Sequence, residues 1–555
     1  MFARHEMTEE QLIDDFDCLG GLERTSTPPT PIRRSLNYEY RYDPDQETKL
    51  HAGSSCYFSH DLTRKVTIDS LEPSHGLVEL TVGPNFPAPP QRLSLIPDDY
   101  ISANVIADAV YRYVEAWSQG TILSQAVDDL LHRRKPRIRG HRQGPLVPQG
   151  AELLASTIDL VQRMDRTVLC IQGPPGTGKT YTAAHAILAV LRQGKSVGVT
   201  ANSHKAILNV LRGVHVALQE AGENFRIIKA GNPADEPLIA SGEIELFENS
   251  GLAVAELNGE PLVLGGTAWL FSRPDIAGRL DYLFVDEAGQ FSLANTVGVG
   301  LAAENLVLVG DQMQLGQPTL GSHPGRSGES ALNYLLDGQA TIPPDLGVLL
   351  DQTWRLHPGI CRFISEAFYD GRLQSHPQTN KQKIKTPGPL ITRESGVVFM
   401  PVPHYGNVQG SQEEVEAVAN LIDELLGSSA WSGQRKSAHP LGWEDILVVA
   451  PFNYQVRLLQ ETLGPDARVG TVDKFQGQEA DVVIVSLASS TIEDSPRGAE
   501  FLLEPNRLNV AVSRAKSLAI VVGNPGLISG RLTSIRSMEL ANLFCWLVDY
   551  AGKDQ

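Results

Sequence analysis

Cysteine is scarce and scattered. Cys18, Cys56, Cys170, Cys361 and Cys545 stand far apart, so neither the paired spacing of a zinc site nor a disulfide framework is visible, and they read as reduced, packed thiols. No stretch approaches the roughly twenty unbroken apolar residues of a membrane span. The opening MFARHEMTEEQLIDDFD is acidic where a secretory signal is basic and then apolar, which gives a cytoplasmic expectation. Basic charge is in deficit: 47 Lys and Arg against 65 Asp and Glu leave a net charge of -18. That excludes non-specific nucleic-acid binding over the whole surface but permits a local basic groove. An N-K-x-D element for reading guanine does not occur, the nearest run being NKQK at 380–383, and this counts against a GTPase switch.

What is there suits a soluble multidomain protein. With 555 residues and an apolar share of 42%, the chain has material for about three or four ordinary domains. Residues 1–34 read as an acidic segment passing into a proline-rich arm, TSTPPTPIRRS. Residues 35–98 show short alternating runs such as KVTIDSL and LVELTVG, the pattern of a small antiparallel barrel or sheet. Residues 99–148 read as a helical stalk, with Ile106, Val110, Val114 and Trp117 on one face, followed by a basic linker, RRKPRIRGHR. That basic run is either solvated or a strip for phosphates. From 149 to 338, and again from 339 to 555, strand-like and helix-like pieces alternate as a parallel sheet covered by helices demands. Two such layers can form a cleft.

The chemistry centres on GPPGTGKT at 173–180, between the strand-like TVLCI and the helical YTAAHAILAVL. This is the context in which a glycine-rich loop cradles phosphates with its backbone N–H groups and with the N-terminus of a helix. The loop residues are Gly173, Pro174, Pro175, Gly176, Thr177 and Gly178; Lys179 bridges the outer phosphates and Thr180 places a hydroxyl on a magnesium ion. A second apolar strand ends in Asp286 and Glu287, which suit holding the metal and orienting the attacking water. A third ends in GDQMQL, where Gln314 suits sensing the terminal phosphate. Arg355, in TWRLHP, and Arg514, in NVAVSRAK, supply positive charge for a phosphoryl transition state from a second domain. ATP and Mg2+ are therefore the expected ligands.

The runs GPPGTGKT, TANSHKAI, GTAWLFS, DEAGQ, GDQMQL, TWRLHP, GTVDKFQGQEADVVIVS and NRLNVAVSRAK stand in the order of helicase motifs. From about residue 40 to its end the chain resembles the superfamily 1 helicases of the B type, in the up-frameshift-like branch, and more closely the helicase half of bacterial RecB-type nuclease/helicase fusions. The resemblance implies an α/β chain of two RecA-like parallel-sheet domains forming an ATP cleft, with the barrel-like domain and stalk as accessories. It implies that Trp354 stacks on adenine and that Gly477 and Glu479 couple phosphate and ribose to the second domain. It implies contacts to a single strand of DNA or RNA from Ser203, His204, Thr267, Phe452 and Thr471, and travel from 5′ to 3′. Three departures stand out: Ser156 occupies the place of a glutamine that reads adenine in many relatives, Gln312 and Gly316 replace prolines of the third motif, which loosens that loop, and no nuclease motif accompanies the helicase. Cleavage, if it occurs, belongs to a separate nuclease subunit. A monomeric ATP-dependent motor is the first reading; an ATP-switched nucleic-acid clamp or assembly subunit without unwinding is the alternative.

Overall fold

A computed structural model describes residues 2–553 except 16, 33, 45, 47, 84–86, 99–101, 232–235, 317–322, 386–387, 432–437, 476, 493–500 and 529–533. Two compact units separate, the first holding the chain up to Ala103. Its six main strands close antiparallel in the order Leu19–Arg24, Arg92–Pro97, Ser55–Phe58, Asp61–Glu72, Leu77–Val82 and Ser35–Arg41. Pairing of Glu23 with Arg41 completes the barrel. Strand alternation fills it: Val78, Leu80 and Val82 point inward beside Tyr40, Phe58, Ile68 and Leu95. The expected arm at 1–34 is corrected here, since Leu19–Arg24 is a barrel strand and Thr30–Ile32 forms a hairpin with Ser35–Arg41. The run LGGLER hid its strand character because the register shifts between Leu19 and Leu22, where Gly21 sits at φ +66°.

The second unit contains both parallel sheets. The first has eight strands in the order Glu245–Phe247, Arg226–Ala230, Leu262–Gly265, Val197–Thr200, Leu280–Val285, Ala303–Gly310, Val168–Gln172 and Gly347–Leu349. Its central strands are buried on both faces, which is why they read as unbroken apolar runs instead of alternating ones. The sequence reading ends this domain at 338, but Gly347–Leu349 pairs in parallel with Val168–Gln172 and extends it. Gly173, Asp286 and Asp311 follow the C-terminal ends of three adjacent strands. The second sheet runs Gly396–Pro401, Ala515–Gly523, Ala480–Ser486, Ile446–Val449 and Val469–Gly470, again all parallel.

The stalk is not a projecting element. Helix Asn104–Ser118 buries Ile106, Ala109 and Tyr113 and packs on helix Leu293–Gly300 of the first sheet domain. Val114 and Trp117, expected on the buried face, are 52% and 54% exposed. The buried stripe is rotated because Ala109 and Tyr113, each small or amphipathic, complete the i, i+3, i+7 set. The basic run that follows stays exposed at Arg134, Lys135, Arg139 and Arg142, but several of its cations are engaged by carboxylates and carbonyls of the same unit. Arg133 bonds Tyr334 O and Asp337, Lys135 pairs with Asp345 at 2.7 Å, and Arg139 bonds Gln162 O. Arg137 donates to Asp129 at 2.9 Å, and Asp129, fully buried, also accepts the Thr167 hydroxyl at 2.8 Å just before the phosphate-loop strand. These cations clamp the helical segment to the sheet. Replacing Asp129 with Ala leaves the guanidinium and the Thr167 hydroxyl without that acceptor, and is expected to cost about 2 to 4 kcal/mol, read as a lowered urea midpoint for the second unit.

Candidate nucleotide site

The phosphate loop is tied at both ends. Gly173 N–H donates to Gly310 O at 2.9 Å, joining it to the neighbouring strand end. Segment 352–355 grips the middle: the Thr353 hydroxyl donates to Pro175 O at 2.8 Å, and Trp354 N–H donates to Gly176 O at 2.8 Å. Gly176 has φ +72°, and a Cβ there would stand 2.4 Å from the Arg355 Cβ, so the close approach needs glycine. Thr177 turns its hydroxyl inward onto Pro174 O at 2.8 Å. Gly178 opens helix Lys179–Leu191, whose second residue is the half-buried Thr180. The Lys179 ammonium rests on Gly173 O at 2.6 Å, within the loop it would leave to meet a phosphate.

Asp286 and Glu287 stand on the adjacent strand end. Asp286 is 7% exposed, and burial first, then Glu287, push its carboxyl up to about 7 against the pull of Lys179. With the Thr180 hydroxyl, the buried Asp286 carboxyl would offer the hard oxygen donors that magnesium takes. Glu287 adopts φ +51°, a left-handed conformation that is uncommon for a residue with a side chain and gathers at functional turns. Gln314 donates its amide to Asp311 at 2.8 Å, so it is parked beside the strand end. The neighbouring Gln312 corrects the expectation of a loosened loop: it is buried, accepts from Gln172 at 3.0 Å and donates to Ala340 O at 2.7 Å.

The second sheet domain brings its arginines to the same place. Arg514 is 5% exposed, and burial, with repulsion from Arg355, lowers it to about 10 while Glu287 and Glu479 act the other way. Its Nε has no hydrogen-bond partner among the described residues. A buried guanidinium N–H left without a hydrogen bond, in the electrostatic range of Glu287, suits an oxyanion. Arg355 donates Nε to Glu479 at 2.6 Å, and Lys516 meets the same carboxylate at 2.9 Å. Burial would raise Glu479, but Arg355 and Lys516 outweigh it and hold the carboxyl below its usual value. Gly477, at φ +79°, is exposed two residues earlier. Trp354 is half exposed and stacks on His376 with ring centroids 3.6 Å apart, leaving its other face open.

The expected strand contacts divide. Ser203 and Thr267 both begin helices at strand ends; Ser203 is exposed, and its hydroxyl accepts Ala206 N–H at 3.1 Å as an N-cap. His204 turns its ring against Gly231, and burial, then Lys229, keep it below its usual value. Thr471 is half-buried beside the strand end Val469–Gly470. Phe452 is a correction: at 6% exposure, with its ring 5.4 Å from that of Phe501, it belongs to the second domain's core and offers no stacking platform. An apolar aromatic just past a strand end is as well suited to packing as to bases. Sequence reasoning missed Tyr369 and Asn509, which sit inside helical patterns and became visible only through their partners in the other domain.

Phosphate loop, carboxylate pair and second-domain arginine around one cleft define a P-loop nucleotide-binding core with paired parallel sheets. Two AAA-domain family models match it, one over residues 156–324 and one over 329–526. The chain is 26% identical over 382 residues to the DNA replication ATP-dependent helicase/nuclease JHS1 of Arabidopsis thaliana, covering 65% of this chain and 27% of that protein. It is 30% identical over 408 residues to the putative helicase mov-10-B.1 of Danio rerio, covering 64% and 39%. It is 27% identical over 428 residues to the DNA-binding protein SMUBP-2 of Mesocricetus auratus, covering 64% and 41%. The chain thus spans well under half the length of these relatives. Among solved structures it is similar to the arterivirus nonstructural protein 10 helicase, with a TM-score of 0.39 and 15% identity over 93% of this chain and 79% of that one. Both family models are of the AAA domain, and JHS1 and mov-10-B.1 carry helicase names. Among the described residues no helix is long and apolar enough to cross a membrane.

Replacing Gly176 with Ala is expected to weaken binding of a fluorescent ATP analogue at least about tenfold, because the added methyl meets both an unfavourable φ and Arg355. An unchanged affinity would sink the assignment of the grip at 352–355.

Proposed function

We propose that this chain is an ATP-driven helicase or translocase that moves along single-stranded nucleic acid, with direction 5′ to 3′. The observation that carries the reading is the buried Arg514 of one sheet domain, whose Nε has no hydrogen-bond partner among the described residues and whose charge is felt by Glu287 of the other. Nucleotide binding replaces the Lys179 contact to Gly173 O with a contact to phosphate. Thr180 and Asp286 would hold a magnesium ion, which would supply charge neutralisation for the phosphates. Glu287 orients a water for attack on the terminal phosphorus, the bond to the bridging oxygen breaks, and Arg514 and Arg355 take up the negative charge that spreads on the transferred group. Trp354 presents its free face to the base, and Gly477 and Glu479 connect the nucleotide to the second sheet domain.

Because the arginines belong to one domain and the phosphate loop to the other, the state of the nucleotide changes how strongly the domains attract. Strand contacts from Ser203, His204, Thr267 and Thr471, at the C-terminal strand ends of both sheets, then shift relative to one another with each turnover. The relatives named helicase/nuclease support a role beside a separate nuclease, as in the helicase half of RecB-type fusions. The working unit is a monomer in the cytoplasm.

Steady-state ATP hydrolysis with no polymer, with single-stranded DNA and with single-stranded RNA of matched sequence tests the reading. One polymer is expected to stimulate turnover strongly. Lys179→Ala is expected to abolish turnover; Glu287→Gln and Arg514→Ala are expected to keep ATP binding while lowering kcat by about a thousandfold. Turnover that survives Arg514→Ala would refute the two-domain cleft. Stimulation without displacement of a paired strand would move the reading to an ATP-switched clamp.

A further inference from the structure

We propose that Tyr369 is a positioning residue that releases Gln314 for the nucleotide, acting through the carboxylate of Asp311 across the two sheet domains. The inference rests on the ATP-hydrolysing function proposed above.

Asp311 follows strand Ala303–Gly310 and is 2% exposed. Its Oδ1 accepts Met313 N–H at 3.2 Å. Its Oδ2 accepts two donors, the Gln314 amide at 2.8 Å and the Tyr369 hydroxyl at 2.6 Å. Tyr369 comes from the other domain, at the end of helix Pro358–Phe368, and is fully buried in that domain's core. Its oxygen in turn accepts the Asn509 amide at 3.0 Å, and the same amide donates to Met313 O at 2.6 Å. Asn506 adds a donor to Gln312 O at 3.1 Å. Asn506 and Asn509 lie on helix Pro505–Val512, which leads directly to Arg514. An unbroken hydrogen-bonded chain therefore joins the third-motif loop to the arginine-bearing segment.

A buried carboxylate needs its donors, because losing one in a medium of low dielectric costs far more than in water. With Tyr369 and Gln314 on the same oxygen, Gln314 can swing away while the tyrosine keeps that oxygen satisfied. Burial pushes the Asp311 carboxyl upward, while Lys179 and then the hydrogen bonds from Tyr369 and Gln314 pull against it. Without the phenol hydroxyl, Gln314 becomes the only side-chain donor to Oδ2 among the described residues, and the amide stays parked. Tyr369 thus lowers the cost of freeing Gln314, and Asn509 keeps the phenol aimed at Asp311.

Tyr369→Phe in the full chain tests this, since the ring still fills its core site. The expected result, with the stimulating polymer at saturation, is a kcat for ATP lowered about tenfold and a KM changed less than about twofold. Adding Gln314→Ala to Tyr369→Phe should lower kcat no further than Gln314→Ala alone, and adding Asp311→Asn, which removes the charge that holds the amide, should restore part of the loss. A kcat equal to wild type, or a loss that adds fully to that of Gln314→Ala, overturns the inference and leaves the proposed function standing. A loss that Asp311→Asn cannot restore, accompanied by a lowered melting temperature, assigns Tyr369 to packing and also overturns it. A wild-type chain that binds ATP without hydrolysing it overturns the proposed function, and this inference with it.

Discussion

Burial of one positive charge organises the second unit. Arg514 sits almost wholly out of water, where a guanidinium survives only if opposite charge is near, and that charge comes from Glu287 on one sheet domain and Glu479 on the other. Neither domain alone satisfies it. Arg355, also close, repels it, so the cluster is balanced instead of locked. An arrangement of three cations, Arg514, Arg355 and Lys516, and two carboxylates, with the Arg514 Nε lacking a hydrogen-bond partner among the described residues, is sensitive to any added anion, and the phosphate loop lies beside it.

The loop itself is held by backbone contacts that leave the side chains of Lys179 and Glu287 free to respond. Gly310 O, Thr353 and Trp354 secure Gly173, Pro175 and Gly176, while Lys179 closes only on its own loop. The clamp of Asp129 with Arg137 and Thr167 braces the strand beneath from the other end. Rigidity is thus concentrated in the scaffold, and adjustable charge in the cleft.

Much of this was legible beforehand. Every α/β strand expected between 167 and 310, and between 396 and 523, is present, because strands covered on both faces must be apolar without interruption and leave an unmistakable trace. The nucleotide residues were legible because phosphate chemistry restricts both residue type and spacing. The barrel's first strand was hidden by a glycine pair, and the helix at 104–118 was assigned its face one step out of register because exposed Val114 and Trp117 mimic a buried stripe. Phe452 failed for a similar reason: an aromatic side chain has the same identity whether it packs or presents a face.

The sequence by itself determined the parallel-sheet architecture and the inventory of phosphate-handling groups, since periodicity and motif spacing are local properties of the chain. Only the tertiary structure decided which charges are spent on holding the fold and which face the cleft. It assigned several cations of the basic run at 133–142 to carboxylates and carbonyls of the same unit, drew Tyr369 across to Asp311 and Asn509 to Met313, and left the Arg514 Nε without a hydrogen-bond partner among the described residues. A charge acquires its role from burial and from neighbours brought together from distant parts of the chain, and no spacing within a motif records those neighbours.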